Sequence, residues 1–129
     1  MKKVLFVCLI ALGMIFTSCS KQKDSYYVRY EVETIDMNGH YTSSNIELNA
    51  DTIIVKAIGG KFVETYGPFK YHDFTYLKIS CYHGHYDWNT VHAIGKIYVS
   101  KNEEPFVLKS EIDTRLKDSF CEISYIIDY

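Results

Sequence analysis

Apolar and polar residues alternate along most of this chain with a period of two, which is the pattern of strands buried on one face. Tyr26–Ile35 sets Val28, Tyr30 and Val32 on one side and Arg29, Glu31 and Glu33 on the other. Asp36-Met37-Asn38-Gly39 then turns the chain, Asn-Gly being the strongest part of that signal. Tyr41–Leu48 reads as a second strand, and the β-branched run Thr52–Ile58 as a third. Gly59-Gly60 turns the chain, Lys61–Tyr66 runs back, and Gly67-Pro68 is expected to end that strand. Phe74–Tyr82 places Thr75, Leu77, Ile79 and Cys81 on one face; Val91–Ser100 carries Ile97 and Val99. Lys101-Asn102-Glu103 turns, and Pro105 suits an edge strand from Phe106 to about Lys109, because proline brings no ladder donor. Phe120–Tyr129 closes the chain with Cys121, Ile123, Tyr125 and Ile127 on one face.

One segment fits two patterns. Leu108, Ile112 and Leu116 are spaced by four, which suits a helix. The surrounding strands favour a short strand followed by a polar loop over Asp113–Ser119. Seven to eight short strands, with a turn about every ten residues, define an all-β class: an antiparallel immunoglobulin-like β-sandwich, its strand order open.

The first eighteen residues break the pattern. Lys2 and Lys3 precede the apolar run Val4–Phe16, and Thr17, Ser18 and Cys19 follow before the polar stretch Ser20–Ser25. A positive start, a short apolar core and small residues at the end describe a secretory signal. The run is shorter than the roughly 20 residues that span a bilayer. Phe16-Thr17-Ser18-Cys19 resembles the lipobox of bacterial lipoproteins, with phenylalanine in place of the commoner leucine. The organisation expected is therefore a signal peptide over 1–18, a tether over 19–25 lipidated at Cys19, and a β-sandwich over 26–129. Its place is the cell envelope, on the outer membrane, with the periplasmic or surface face open.

Removing the signal changes the composition. The remaining 129 − 18 = 111 residues carry 14 − 2 = 12 basic and 16 acidic side chains, a net charge of 12 − 16 = −4. That argues against nucleic acid, or an anionic membrane held by bulk charge, as a partner. Of four cysteines, Cys8 leaves with the signal and Cys19 takes the lipid. Cys81 and Cys121 remain on faces expected to point inward, either as a disulfide or as two buried thiols.

Three stretches carry a family resemblance: Tyr26-Tyr27-Val28-Arg29-Tyr30-Glu31-Val32, Gly67-Pro68-Phe69 and Gly95-Lys96-Ile97-Tyr98-Val99. They make the chain similar to small Bacteroidetes lipoproteins with an immunoglobulin-like sandwich, whose shape is like that of the MmpS-type periplasmic accessory proteins of mycobacteria. The resemblance spans most of Tyr26–Tyr129. It departs where a later strand usually turns on glycine, since Lys101-Asn102-Glu103-Glu104 stands there. It implies a non-enzymatic envelope module, an accessory to transport or assembly, and brings no catalytic residues or cofactor.

The residues themselves agree. The chain has no nucleophile elbow, no His-Glu-x-x-His and no phosphate-binding glycine loop. Adjacent Glu103 and Glu104 would point to opposite faces of a strand. A weak ligand signal lies in Cys81-Tyr82-His83-Gly84-His85-Tyr86-Asp87-Trp88, with His72 and His92 able to approach from neighbouring segments. Tyr82, His83, His85, Tyr86 and Trp88 are the candidate ligand-binding residues, for a glycan or a metal, although no metal is assigned. Tyr26, Tyr27, Tyr66 and Tyr71 add flat apolar area with polar tips, which suits a protein partner.

Overall fold

The computed structural model describes residues 23–49, 53–81 and 90–129. Over these residues it is all-β: eight strands in two antiparallel sheets packed face to face. They are β1 (Tyr26–Ile35), β2 (Ser44–Leu48), β3 (Ile53–Ala57), β4 (Lys61–Phe69), β5 (Phe74–Cys81), β6 (Val91–Lys101), β7 (Val107–Leu116) and β8 (Ser119–Ile126). One sheet has the order β4-β1-β6-β7 and the other β3-β2-β5-β8. The β-sandwich class is thus the one its alternation predicts. An immunoglobulin sandwich pairs its second strand with its fifth in one sheet and its third with its sixth in the other. Here β2 likewise pairs with β5, while the sixth strand takes β1 as its partner, over ten rungs from Tyr26↔Lys101 to Ile35↔His92. Only β2–β3 and β6–β7 are hairpins within a sheet; every other connection crosses to the opposite sheet.

Alternation explains what is buried. Tyr26, Val28, Tyr30, Val32 and Thr34 of β1 all point inward, against Thr75, Leu77, Ile79 and Cys81 of β5 and Val91, Ala93, Ile97 and Val99 of β6. Gly95 interrupts the β6 row at a close approach of the facing sheet: a Cβ there would lie 2.9 Å from Ile79 Cδ1 and 3.1 Å from Leu77 Cδ2, so those side chains would have to shift. Tyr30 is wholly buried, and its hydroxyl donates to Asn49 Oδ1 at 2.8 Å. The same oxygen accepts from the Tyr76 amide, and the Asn49 amide donates to the Tyr76 carbonyl. One phenol from the first sheet is thereby tied to two strands of the second. Burial pushes its pKa far above the ordinary tyrosine value.

Three expectations about strand limits change. The fourth strand does not end at Gly67-Pro68. β4 passes the cis Gly67–Pro68 bond, and after a register irregularity Phe69 pairs with Tyr26. β4 is an edge strand, where proline's missing donor costs no ladder bond. β7 is neither a helix nor a short strand with a loop; it runs without a break to Leu116. A spacing of four is even, so Ile112 and Leu116 share the inward face, while Glu111, Asp113 and Arg115 face out. The register slips by one residue between Ile97↔Ser110 and Tyr98↔Leu108, which turns Leu108 outward. β8 stops at Ile126, and Ile127 is held instead by the β4–β5 loop: its amide donates to the Asp73 carbonyl and its carbonyl accepts from the His72 amide.

Candidate functional site

The signal segment 1–18, Cys19, and the candidate residues Tyr82, His83, His85, Tyr86 and Trp88 lie outside the described residues. The residues flanking that last stretch, Cys81 and Val91, sit at the end of the sandwich away from Tyr26. The two other histidines do not converge. His72 is in the β4–β5 loop, stacked on Tyr71 with centroids 4.0 Å apart. His92 is at the opposite end of β6, hydrogen-bonded to Asp113. Among the described residues no three metal-binding side chains come together, and no helix is long and apolar enough to cross a membrane.

Cys81 and Cys121 both point into the core, as their alternation predicts, but they are free thiols and not a disulfide. The register shows why. Cys81 is opposite Ser119 and Cys121 is opposite Ile79, so the two cysteines are diagonal neighbours offset by two residues. Diagonal Cβ atoms are roughly 7 Å apart, against the ~4 Å a disulfide requires. Burial, with a smaller contribution from Cys121, pushes the Cys81 thiol up to about 11, and burial also raises Cys121. A thiol so protonated is a poor nucleophile. The protein denatured without reductant should therefore show Cys81 and Cys121 as free thiols, and these two should react with a thiol reagent at pH 8 many-fold more slowly in the native protein than after unfolding. Finding no free thiol in the unreduced, denatured chain would contradict this arrangement.

The β6–β7 turn carries no glycine, and its residues have a use. Asn102 and Glu103 both adopt the left-handed backbone that glycine favours, with φ of 52° and 83°. Asn102 turns that geometry into a clamp on the entering chain. Its amide donates to the Ser25 carbonyl at 2.7 Å, and its side-chain oxygen accepts from the Ser25 amide at 3.0 Å. Its side-chain nitrogen donates to Asp24 at 3.0 Å, and the Lys101 ammonium sits 3.0 Å from the same carboxylate. Those hydrogen bonds, from Asn102 first and Lys101 second, hold the Asp24 pKa below the ordinary carboxylate value. Beside the clamp, Lys23, Asp24, Tyr26, Tyr71, Lys101 and Tyr129 line an open cleft of about 410 Å³. The Tyr26 ring lies 6.5 Å from that of Tyr71 and 6.1 Å from that of Tyr129.

The outer faces of the two sheets differ in kind. That of β4-β1-β6-β7 is laced with charge pairs: Lys61–Glu33, Arg29–Glu31 and Lys96–Glu111. Arg29 is also sandwiched between the rings of Tyr98 and Phe106, at 4.6 and 4.7 Å. The outer face of β5 and β8 carries exposed rings instead. Phe74 is 50 % exposed, stacks on Tyr76, and lies opposite Ile126, which is 55 % exposed. Phe120, also 50 % exposed, lies under the Lys78 ammonium at 4.6 Å. Between these apolar groups run Lys78–Glu47 and a hydrogen bond from the Tyr76 hydroxyl to Glu122. The sequence alternation shows that these residues face outward. It does not show that they adjoin, because that depends on β5 pairing with β8, 38 residues further on at the nearest strand ends (119 − 81 = 38).

No protein-family model, no curated protein and no solved structure matches this chain. Its function is therefore argued from its own residues.

Proposed function

We propose that this chain is a lipid-anchored lipoprotein of a bacterial cell envelope that works by docking a protein partner, as an accessory to transport or assembly, and not by catalysis. The observation that carries the docking reading is the outer face of β5 and β8. Phe74, Phe120 and Ile126 are exposed and, with the half-buried Tyr76, flank a charged centre of Lys78, Glu47 and Glu122. Aromatic anchors around a few fixed polar groups are the usual make-up of a protein-binding patch. The buried, protonated state of Cys81 speaks against a thiol nucleophile. The anchor reading rests on the apolar run and the lipobox-like Phe16-Thr17-Ser18-Cys19.

Capture from native membranes tests the docking face. The protein and a Tyr76→Ala/Phe120→Ala variant, matched for far-ultraviolet circular dichroism, are used as bait. The partner recovered by the parent protein should fall at least tenfold with the variant, about 1.4 kcal/mol or more. Equal recovery by both would remove this face from the function. The alternative role, a small-ligand module for a glycan or metal, falls on Tyr82–Trp88 and has no support from the described residues.

A further inference from the structure

We infer that the end of the sandwich where the chain enters is its membrane face, seated on the lipid headgroup layer. This rests on acylation of Cys19, as proposed above. Five peptide steps separate Cys19 from Asp24, a reach of at most about 18 Å. Asp24 does not lead into a free hinge. Asp24 and Ser25 are held by Asn102 and Lys101 through three hydrogen bonds and an ion pair. A tether this short, fixed at its domain end, keeps one end of the sandwich at high effective concentration beside the bilayer.

That end has the surface such a position requires. The large hydrophobic side chains most exposed among the described residues are Met37, Tyr41, Val63, Tyr71, Phe74, Val107, Leu108, Phe120 and Ile126. Tyr71, Phe74, Val107, Leu108 and Ile126 belong to the tether end, in the β4–β5 loop or on the strand ends that flank Tyr26. Tyr71 is 53 % exposed over His72, beside the cleft floored by Tyr26 and Tyr129. Tyrosine is at home in the headgroup region, where its ring is buried and its hydroxyl stays wet, and lysines can reach past it to the phosphates. The charges at this end are of both signs: Lys23, Lys70 and Lys101 stand among Asp24, Asp73 and Glu104, and Asp24 is paired with Lys101. With no single-sign field, the contact is to the interface of a neutral phospholipid surface and does not need anionic lipid. Phe74 and Ile126 lie where this end meets the docking face, so a partner would approach along the plane of the membrane.

The test uses the full acylated chain floated on phosphatidylcholine vesicles that contain a headgroup-nitroxide lipid. A fluorophore is placed through Lys70→Cys at the tether end, or through Met37→Cys at the far end. Position 70 should be quenched at least threefold more strongly than position 37, with little change when phosphatidylglycerol is added. Asn102→Gly keeps a residue that accepts the turn but removes the side-chain clamp, and should bring the two positions closer while flotation persists. Equal quenching at 70 and 37 in floated protein would overturn the orientation and leave the anchor standing. Failure of the unsubstituted chain to float would overturn the anchor, and the orientation with it.

Discussion

Exported behind an ordinary secretory signal and carrying Cys19→Ala, the protein should be recovered in the soluble envelope fraction, whereas the parent chain stays with the membranes through a high-salt wash. The expected shift is close to all-or-none. Each buried acyl methylene contributes about 0.8 kcal/mol, and more than one chain on the cysteine makes attachment stable. Little else would hold the protein there. From Cys19 onward the chain has a net charge of −4, from 12 basic and 16 acidic side chains, so bulk electrostatics oppose binding to an anionic leaflet. The tether-end contact is small and depends on the anchor to bring it to the surface. Membrane retention of the Cys19→Ala protein equal to that of the parent would sink the lipoprotein reading.

The largest effect on folding should come from Tyr30→Ala. Tyr30 sits at the centre of β1, paired with Glu64 of β4 and Ile97 of β6, and is wholly buried. Its ring meets that of Tyr66 edge-on, at 6.0 Å and 60°. Truncation removes a ring from the contact between the sheets and leaves Asn49 Oδ1 without its phenol donor. Large-to-small changes of this type cost about 3–5 kcal/mol, much of the 5–15 kcal/mol that holds a domain folded. Tyr30→Phe keeps the ring and forfeits only the hydrogen bond, about 1–1.5 kcal/mol. Urea unfolding of the three proteins separates the two contributions. A loss below 1 kcal/mol for Tyr30→Ala would mean that the phenol does not join the sheets as described.

Much of the fold is legible in the sequence where one face of a strand is a regular row of apolar or β-branched residues. β1, β5 and β6 are of this kind, and their inward residues are those that alternation selects. β7 is harder to read for a physical reason. Its inward face includes Ser110 and Thr114, both half-buried, and its outward face carries Glu111, Asp113 and Arg115. Polar residues on both sides erase the period-two signal, and the slip beside Leu108 shifts the phase of what is left. Strand order is not legible at all, because nothing in a local pattern says that β1 will choose β6 or that β5 will choose β8. The same limit governs the sites. Alternation puts Cys81 and Cys121 on inward faces, but only the register makes them diagonal. The clamp at Asn102 has a trace in the sequence, the turn Lys101-Asn102-Glu103-Glu104; its partners Asp24 and Ser25 lie 78 and 77 residues away along the chain.

The intact mass of the protein purified from membranes tests the central claim most directly. A chain of 111 residues beginning at Cys19, with acyl groups on that residue and none elsewhere, is the result expected. A mass that fits the unmodified 129 residues, or a mature chain whose Cys19 carries no lipid, would contradict the anchor and the membrane-facing orientation built on it.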